Sequence, residues 1–240
     1  MKLNTPNSVW NVHILTAFPE MFPGPLECSL AGQALASNIW AMRTWDFRKF
    51  TKDPHHSIDD KPYGGGSGMV MRPDVVGEGI SKVSKVASHL PLVYLTPHGK
   101  KITQQTVIKL AEGAGLIAIC GRFEGIDSRV MEVFPGQELS LGDYILSGGE
   151  PAAIALVDAC VRLLPGVIGD PSSLKEESFK DGLLEYPQYT RPQEWQGQQV
   201  PETLVSGNHK KIQDWRLSRS KEITKTRRPD LWEDYLGRHS

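Results

Sequence analysis

Two short runs, Leu92-Val-Tyr-Leu and Leu116-Ile-Ala-Ile-Cys, are apolar throughout and flank a helical pattern from Thr103 to Gly113. A strand with no polar face must be covered on both sides, and helices packed on a parallel sheet do this. The rest of the pattern agrees. Trp10 to Thr16 and Ile39 to Phe47 read as strands, while Pro73 to Ala87 and Ala152 to Leu164 read as helices. Glu20 to Asn38 is helical in its middle and interrupted by Pro23 and Pro25, and Asp53 to Gly68 is loop, rich in Pro, Gly and Asp. The expected class is α/β with a largely parallel sheet.

Composition removes other classes. At 240 residues, with 39% hydrophobic and 23% charged, the chain is neither collagen-like, coiled coil nor wholly disordered. No apolar run approaches the roughly 18 residues of a membrane span. Met1 to Asn7 carries one Lys and no apolar core, so no secretory leader is read and a cytoplasmic location is expected. Cys28, Cys120 and Cys160 are odd in number and lack CxxC spacing, which suggests neither disulfide nor zinc. Each is expected to be a buried packing residue. His55-His56 is an adjacent pair without a third ligand, so no metal site is assigned.

The character of the chain changes after Gly166. Residues 1–166 form the expected α/β domain, 167–190 a polar interdomain connection, and 191–240 a smaller helical and basic domain. The formal net charge is only -1, yet Asn208 to Arg228 holds eight basic residues against two acids. Concentrated basic charge suits a polyphosphate partner, although charge alone fits a solvated helix face equally well. Ile212 and Trp215, three apart, form a packing stripe.

Glycine clusters are the first sign of chemistry. Gly64-Gly-Gly-Ser-Gly-Met lacks the dinucleotide spacing and the phosphate-loop Lys, and a surface loop is the plain alternative. More informative are Thr96-Pro-His-Gly, Cys120-Gly-Arg-Phe-Glu-Gly-Ile-Asp and Leu141-Gly-Asp-Tyr-Ile-Leu-Ser-Gly-Gly-Glu, each after a buried strand or beside a helix start. In open α/β sheets ligands collect at the carboxyl ends of strands.

These segments, with Tyr63-Gly-Gly-Gly-Ser-Gly-Met, Leu164-Pro-Gly-Val, Asp181-Gly-Leu-Leu-Glu-Tyr-Pro-Gln-Tyr-Thr-Arg-Pro, Val205-Ser-Gly-Asn-His and Trp215-Arg-Leu, closely resemble the bacterial tRNA (guanine-N1)-methyltransferases of the SPOUT superfamily. The resemblance runs in order from about Val12 to Arg228. It implies a parallel-sheet domain with a deep trefoil knot, a smaller C-terminal helical domain, and a homodimer with its active site at the subunit interface. It implies transfer of the S-adenosylmethionine methyl group to N1 of guanine at tRNA position 37. The same resemblance assigns the methyl donor to Tyr94, Leu95, Thr96, Pro97, Gly121, Glu124, Leu141, Gly142, Asp143, Tyr144, Ile145, Leu146 and Gly149.

The reaction sets its own demands. Guanine N1 carries a proton at neutral pH, so a base must take it, and charge developing on O6 needs a fixed cation. By resemblance, Arg162 meets the O6 charge and Glu177 is the base, in a place where other members carry Asp. Glu176 and Asp181 are rival carboxylates. Thr96, His98 and Phe123 stand where Ser, Gln and Tyr are expected; His209 has no assigned role. On a helix, Lys221, Lys225 and Arg228 fall on one face suited to a tRNA phosphate backbone. Ribose 2′-O-methylation and a non-catalytic RNA-binding protein are the competing readings.

Overall fold

Alternation along β1 (Trp10–Thr16) sets the layering: Trp10, Val12 and Ile14 enter one apolar cluster and Leu15 enters another. The structure is a computed structural model that describes residues 9–169, 178–179 and 181–239. After β1 come two 3₁₀ turns, α1 (Ser29–Ala36) and β2 (Trp40–Asp46). The short strands β3 (Asp59–Asp60) and β4 (Val70–Met71) pair antiparallel, so the stretch read as loop carries a small ribbon. Then follow α2 (Pro73–Ala87), β5 (Leu92–Lys101), α3 (Gln104–Ala111), β6 (Gly115–Cys120), α4 (Arg129–Val133), β7 (Gln137–Ser140) and α5 (Glu150–Val161).

Five strands form one parallel sheet in the order β2-β1-β6-β5-β7. Every residue of central β6 is buried, as a strand covered on both faces must be. Leu116, Ala118 and Cys120 meet the cluster built with α1, α3 and α5, while Ile117 and Ile119 meet the one built with α2 and α4. Burying an Ile or Leu side chain contributes about 1.5–3 kcal/mol, so the two layers dominate the stability of this part. Two indoles bind helices to the sheet: Trp10 Nε1 donates to Leu110 O at 3.2 Å, and Trp40 Nε1 to Ala31 O at 2.9 Å.

Helix boundaries follow local chemistry. Pro73 opens α2 and Pro151 lies in the first turn of α5, where a missing N–H costs nothing. Thr103 caps α3, its hydroxyl accepting from Thr106 N. Against expectation, α5 begins at Glu150 and ends at Val161, leaving Arg162 as its C-cap. Cys120 and Cys160 are buried, but Cys28 is exposed: it precedes α1 at the domain surface, where no apolar layer covers it.

The chain divides into two compact units, one through residue 169 and one from 170 onward. In the second, β8 (Glu194–Trp195) and β9 (Gln198–Gln199) pair around Gln196 and Gly197, both at positive φ, as a tight hairpin turn needs. Then come α6 (Glu202–Val205), α7 (His209–Arg227) and α8 (Pro229–His239), with Asn208 capping α7 through Lys211 N at 3.1 Å. Ile212 and Trp215 are half-buried, and Trp215 meets Tyr189 edge-on at 6.3 Å. Among the described residues no helix is long and apolar enough to cross a membrane.

Candidate active site

Four chain segments meet above the carboxyl edge of the sheet. Past Leu95, β5 bulges and carries Thr96 to Gly99 alongside the end of β7. β6 releases the chain into residues 121–128, and β7 into 141–149. These last two loops are stitched together. Arg122 bridges Gly148, and Gly149 N donates to Gly121 O at 2.9 Å. A Cβ on Gly149 would stand 2.8 Å from Cys120 Cα, so the backbones pass at a distance that only glycine permits. The fourth segment is the β3–β4 ribbon. Met71 N donates to Gly125 O, Asp127 N to Met71 O and Glu124 N to Met69 O, which fix it as a wall.

Together they enclose a cavity of about 840 Å³, within the size range of small-molecule sites. Tyr94, Leu95, Thr96, Pro97, Gly121, Glu124, Leu141, Gly142, Tyr144, Ile145, Leu146 and Gly149 line it, so the three loops singled out by their glycines do converge. Asp143 is not on the lining; it is exposed and pairs with Lys101 at 2.5 Å. Asp60 to Tyr63, Arg72, Asp127 and Arg129 also line the cavity, and none of them is among the residues expected there from the sequence. Their signal was present in the matched stretches around Tyr63 and Asp127, but only the ribbon's docking shows that they share one site.

Charge at the mouth is organised. Arg129 grips Asp127 with Nε and Nη2 at 2.9 and 2.7 Å, which holds that carboxyl below the usual range. Arg72 joins Asp74 at 2.8 Å and Asp53 at 3.2 Å, anchoring the ribbon to the start of α2. The backbone N–H of Ser57 above all, and that of His55, hold the Asp53 carboxyl below the usual range. On the floor, Tyr94 donates its hydroxyl to Phe134 O at 2.7 Å, and burial pushes the phenol up, so it stays neutral. Burial also holds the Cys120 thiol well up, with the Glu150 carboxylate adding to it, which argues against a thiolate nucleophile there.

Arg162 is not on this cavity. Gly149 and Ala152 line it at the start of α5, whereas Arg162 closes the same helix. At about 1.5 Å per residue, the stretch from Ala152 to Arg162 spans roughly 15 Å. Gly166, just beyond, approaches Ile39 at the start of β2, so this helix end belongs to the opposite edge of the sheet. Glu176 and Glu177 lie outside the described residues; Asp181 is exposed.

In the second unit, Lys225 is exposed on α7 and Lys221 lies 5.7 Å from the Tyr235 ring. Arg228 departs from the expected face. It stands at φ -138, ψ 71 after α7 has ended, and its guanidinium clasps Asp230 at 2.8 and 2.5 Å. Pro229 explains this, because a residue before proline is pushed out of the helical region.

Residues 10–234 match the family described as tRNA (Guanine-1)-methyltransferase TrmD. A tRNA (guanine-N(1)-)-methyltransferase of Rhodospirillum rubrum is 56% identical over 224 residues, covering 93% of each chain. The protein of that name from Wolbachia pipientis wMel is 54% identical over 92% of this chain and 95% of its own. The one from Zymomonas mobilis subsp. mobilis is 53% identical over 95% of this chain and 92% of its own. With a matched stretch spanning both units and all the loops of the cavity, the chain belongs to the tRNA (guanine-1)-methyltransferase family.

Proposed function

We propose that this chain transfers a methyl group from S-adenosylmethionine to N1 of guanine at position 37 of tRNA, in the cytoplasm. The observation that carries the reading is the cavity itself, in a chain of this family: three loops at the strand carboxyl ends converge as a nucleoside-sized donor requires. The lining fits such a donor. Leu95, Ile145 and Leu146 supply apolar surface for a base, and Glu124 supplies negative charge. Bound there, S-adenosylmethionine supplies an electrophilic methyl group carried on a sulfonium.

The chain's own groups then have two tasks. Glu177 takes the N1 proton as the N–C bond forms, typically worth about 10²–10⁴ in rate. Arg162 meets the charge that develops on O6, and its pre-aimed guanidinium needs no reorganisation. Because Arg162 lies a helix length from the cavity of its own chain, the reading includes a homodimer whose partner supplies this group. Lys221, Lys225 and Arg228 of the second unit hold tRNA phosphates, and Arg228 must then exchange Asp230 for phosphate. The first unit's path is proposed to be a deep trefoil knot. Support comes from β6 inserted between β1 and β5, and from the backbone contacts that join the 121–128 and 141–149 loops.

Purified protein, labelled S-adenosylmethionine and two tRNA transcripts differing only at position 37 test the reading. Label recovered as N1-methylguanine from the guanine transcript alone is expected. Label on ribose, or tRNA binding without transfer, overturns it. Mixing Arg162→Ala subunits with donor-site Gly149→Val subunits tests the interfacial site: activity should return in the mixture, and two inactive parents that stay inactive remove the shared site.

A further inference from the structure

Beneath the cavity, two buried side chains that do not line it are tied to one that does. Glu150, the first residue of α5, is wholly buried, yet it is a carboxylate. Thr16, at the end of β1 and equally buried, donates its hydroxyl to Glu150 Oε1 at 2.7 Å. Arg122 places Nε 2.8 Å from Glu150 Oε2. Neither of those two atoms has an aligned hydrogen bond, so charge rather than hydrogen-bond direction holds the pair.

Arg122 spans both donor loops. Its backbone belongs to the 121–128 loop, and its Nη1 donates to Ser147 O at 3.1 Å in the other. The guanidinium passes over Gly148, where any Cβ would collide with it. Its central carbon, Cζ, lies 4.3 Å from the centre of the Phe18 ring, and Phe18 N in turn donates to Thr16 Oγ1 at 2.9 Å. Strand end, helix start and two loops thus share one charged knot of contacts.

Stability alone gives little reason for such a group. Taking a carboxylate and a guanidinium out of water costs several kcal/mol each, and apolar residues of similar volume often serve a fold as well or better. A buried ion pair offers instead a unique geometry, because a displaced partner leaves an uncompensated charge. We propose that Glu150 and Thr16 are positioning residues for methyl-donor binding, acting through Arg122 to hold the 121–128 and 141–149 loops at the separation the donor needs. The inference rests on the proposed function and names residues that act on its donor site without touching it.

The test compares Glu150→Gln with the unaltered protein, well below the melting temperature of both. Calorimetry with S-adenosylmethionine should show affinity weakened roughly 10- to 100-fold, the scale of ångström-level misplacement. The KM for the donor should rise by the same factor, while the KM for tRNA stays within twofold. A folded Glu150→Gln protein that only melts earlier, with donor affinity and KM unchanged, overturns the inference. Equal losses toward donor and tRNA do so too. Should Glu150→Gln not fold, Thr16→Val carries the test: donor affinity should fall severalfold, and Thr16→Ser, which keeps the hydroxyl, should restore it. Equal affinity in all three Thr16 forms overturns it. An unaltered protein that binds no S-adenosylmethionine removes the proposed function and this inference with it. An unaltered protein that binds, beside a variant that binds equally, removes this inference alone.

Discussion

The two units are held together by different means. The first buries a layer on each face of its sheet, with Ile14, Ile119 and Val157 sealed from solvent. In the second, the residues buried among those described are Gly182, Leu183, Ser220 and Thr224, and of these only Leu183 carries a large apolar side chain. Its rings lie beside cations instead: Arg216 over Tyr186 at 4.7 Å, Arg219 near Trp215 at 5.9 Å and Lys221 near Tyr235 at 5.7 Å. Exposed cation–π contacts contribute only about 0.5–1 kcal/mol each. A unit built this way lacks the layered apolar core of the first, and the tRNA contact proposed for it would use cations held near its surface. The first unit has the opposite need, because its cavity must hold four segments in register.

Cysteine reactivity should show the contrast most strongly. All three thiols lie in the first unit, and burial pushes the Cys160 thiol up to about 12. Across neutral pH it therefore stays protonated and shielded. With a thiol reagent Cys28 should react at once, and Cys120 and Cys160 about a thousandfold or more slowly, at the rate the core opens. Three fast thiols would mean that the first unit is not the rigid partner. Next in size, Ile119→Ala should cost about 2–5 kcal/mol in the first unit. In urea, the protected thiols should then become reactive at lower concentration, while the residue-resolved indole N–H NMR signals of Trp195, Trp215 and Trp232 hold their midpoint.

A smaller effect is expected in the second unit. The Thr224 hydroxyl accepts from Leu184 N at 2.8 Å and donates to Ser220 O at 2.6 Å. Thr224→Val leaves that N–H unsatisfied and should cost about 1–3 kcal/mol, shifting the tryptophan signals and not the thiols. A shift in both would show that the units unfold as one. The smallest change in stability belongs to Lys225→Gln, at about zero for an exposed lysine. Its effect should appear in tRNA binding, as a slope of log affinity against log salt shallower by about one. An unchanged slope would take Lys225 off the proposed interface.

Much of the first unit was legible because its signals are local. The β6 run is apolar at every residue because both its faces are covered, and α2 lies on the residues its period and opening proline indicate. Twelve of the thirteen proposed donor residues line one cavity, since loops that follow parallel strands end at one edge of the sheet. Asp143 escapes that logic. It sits in the right loop, but its side chain turns outward to Lys101.

What the sequence by itself determined is the set of elements, the parallel sheet they imply, the three glycine-bearing loops and, through their ordered motifs, the family. Periodicities of two and 3.6 residues and single Gly or Pro positions carry that information, since each depends on neighbours a few residues away. Only the tertiary structure decided that the ribbon of Asp59 to Met71 closes the cavity, that Arg162 stands a helix away from it, and that Arg228 is clasped by Asp230. It alone brought Thr16 to Glu150, 134 residues apart in the chain. No local spacing records such a pair; it exists because a strand end and a helix start are carried to the same edge of one sheet.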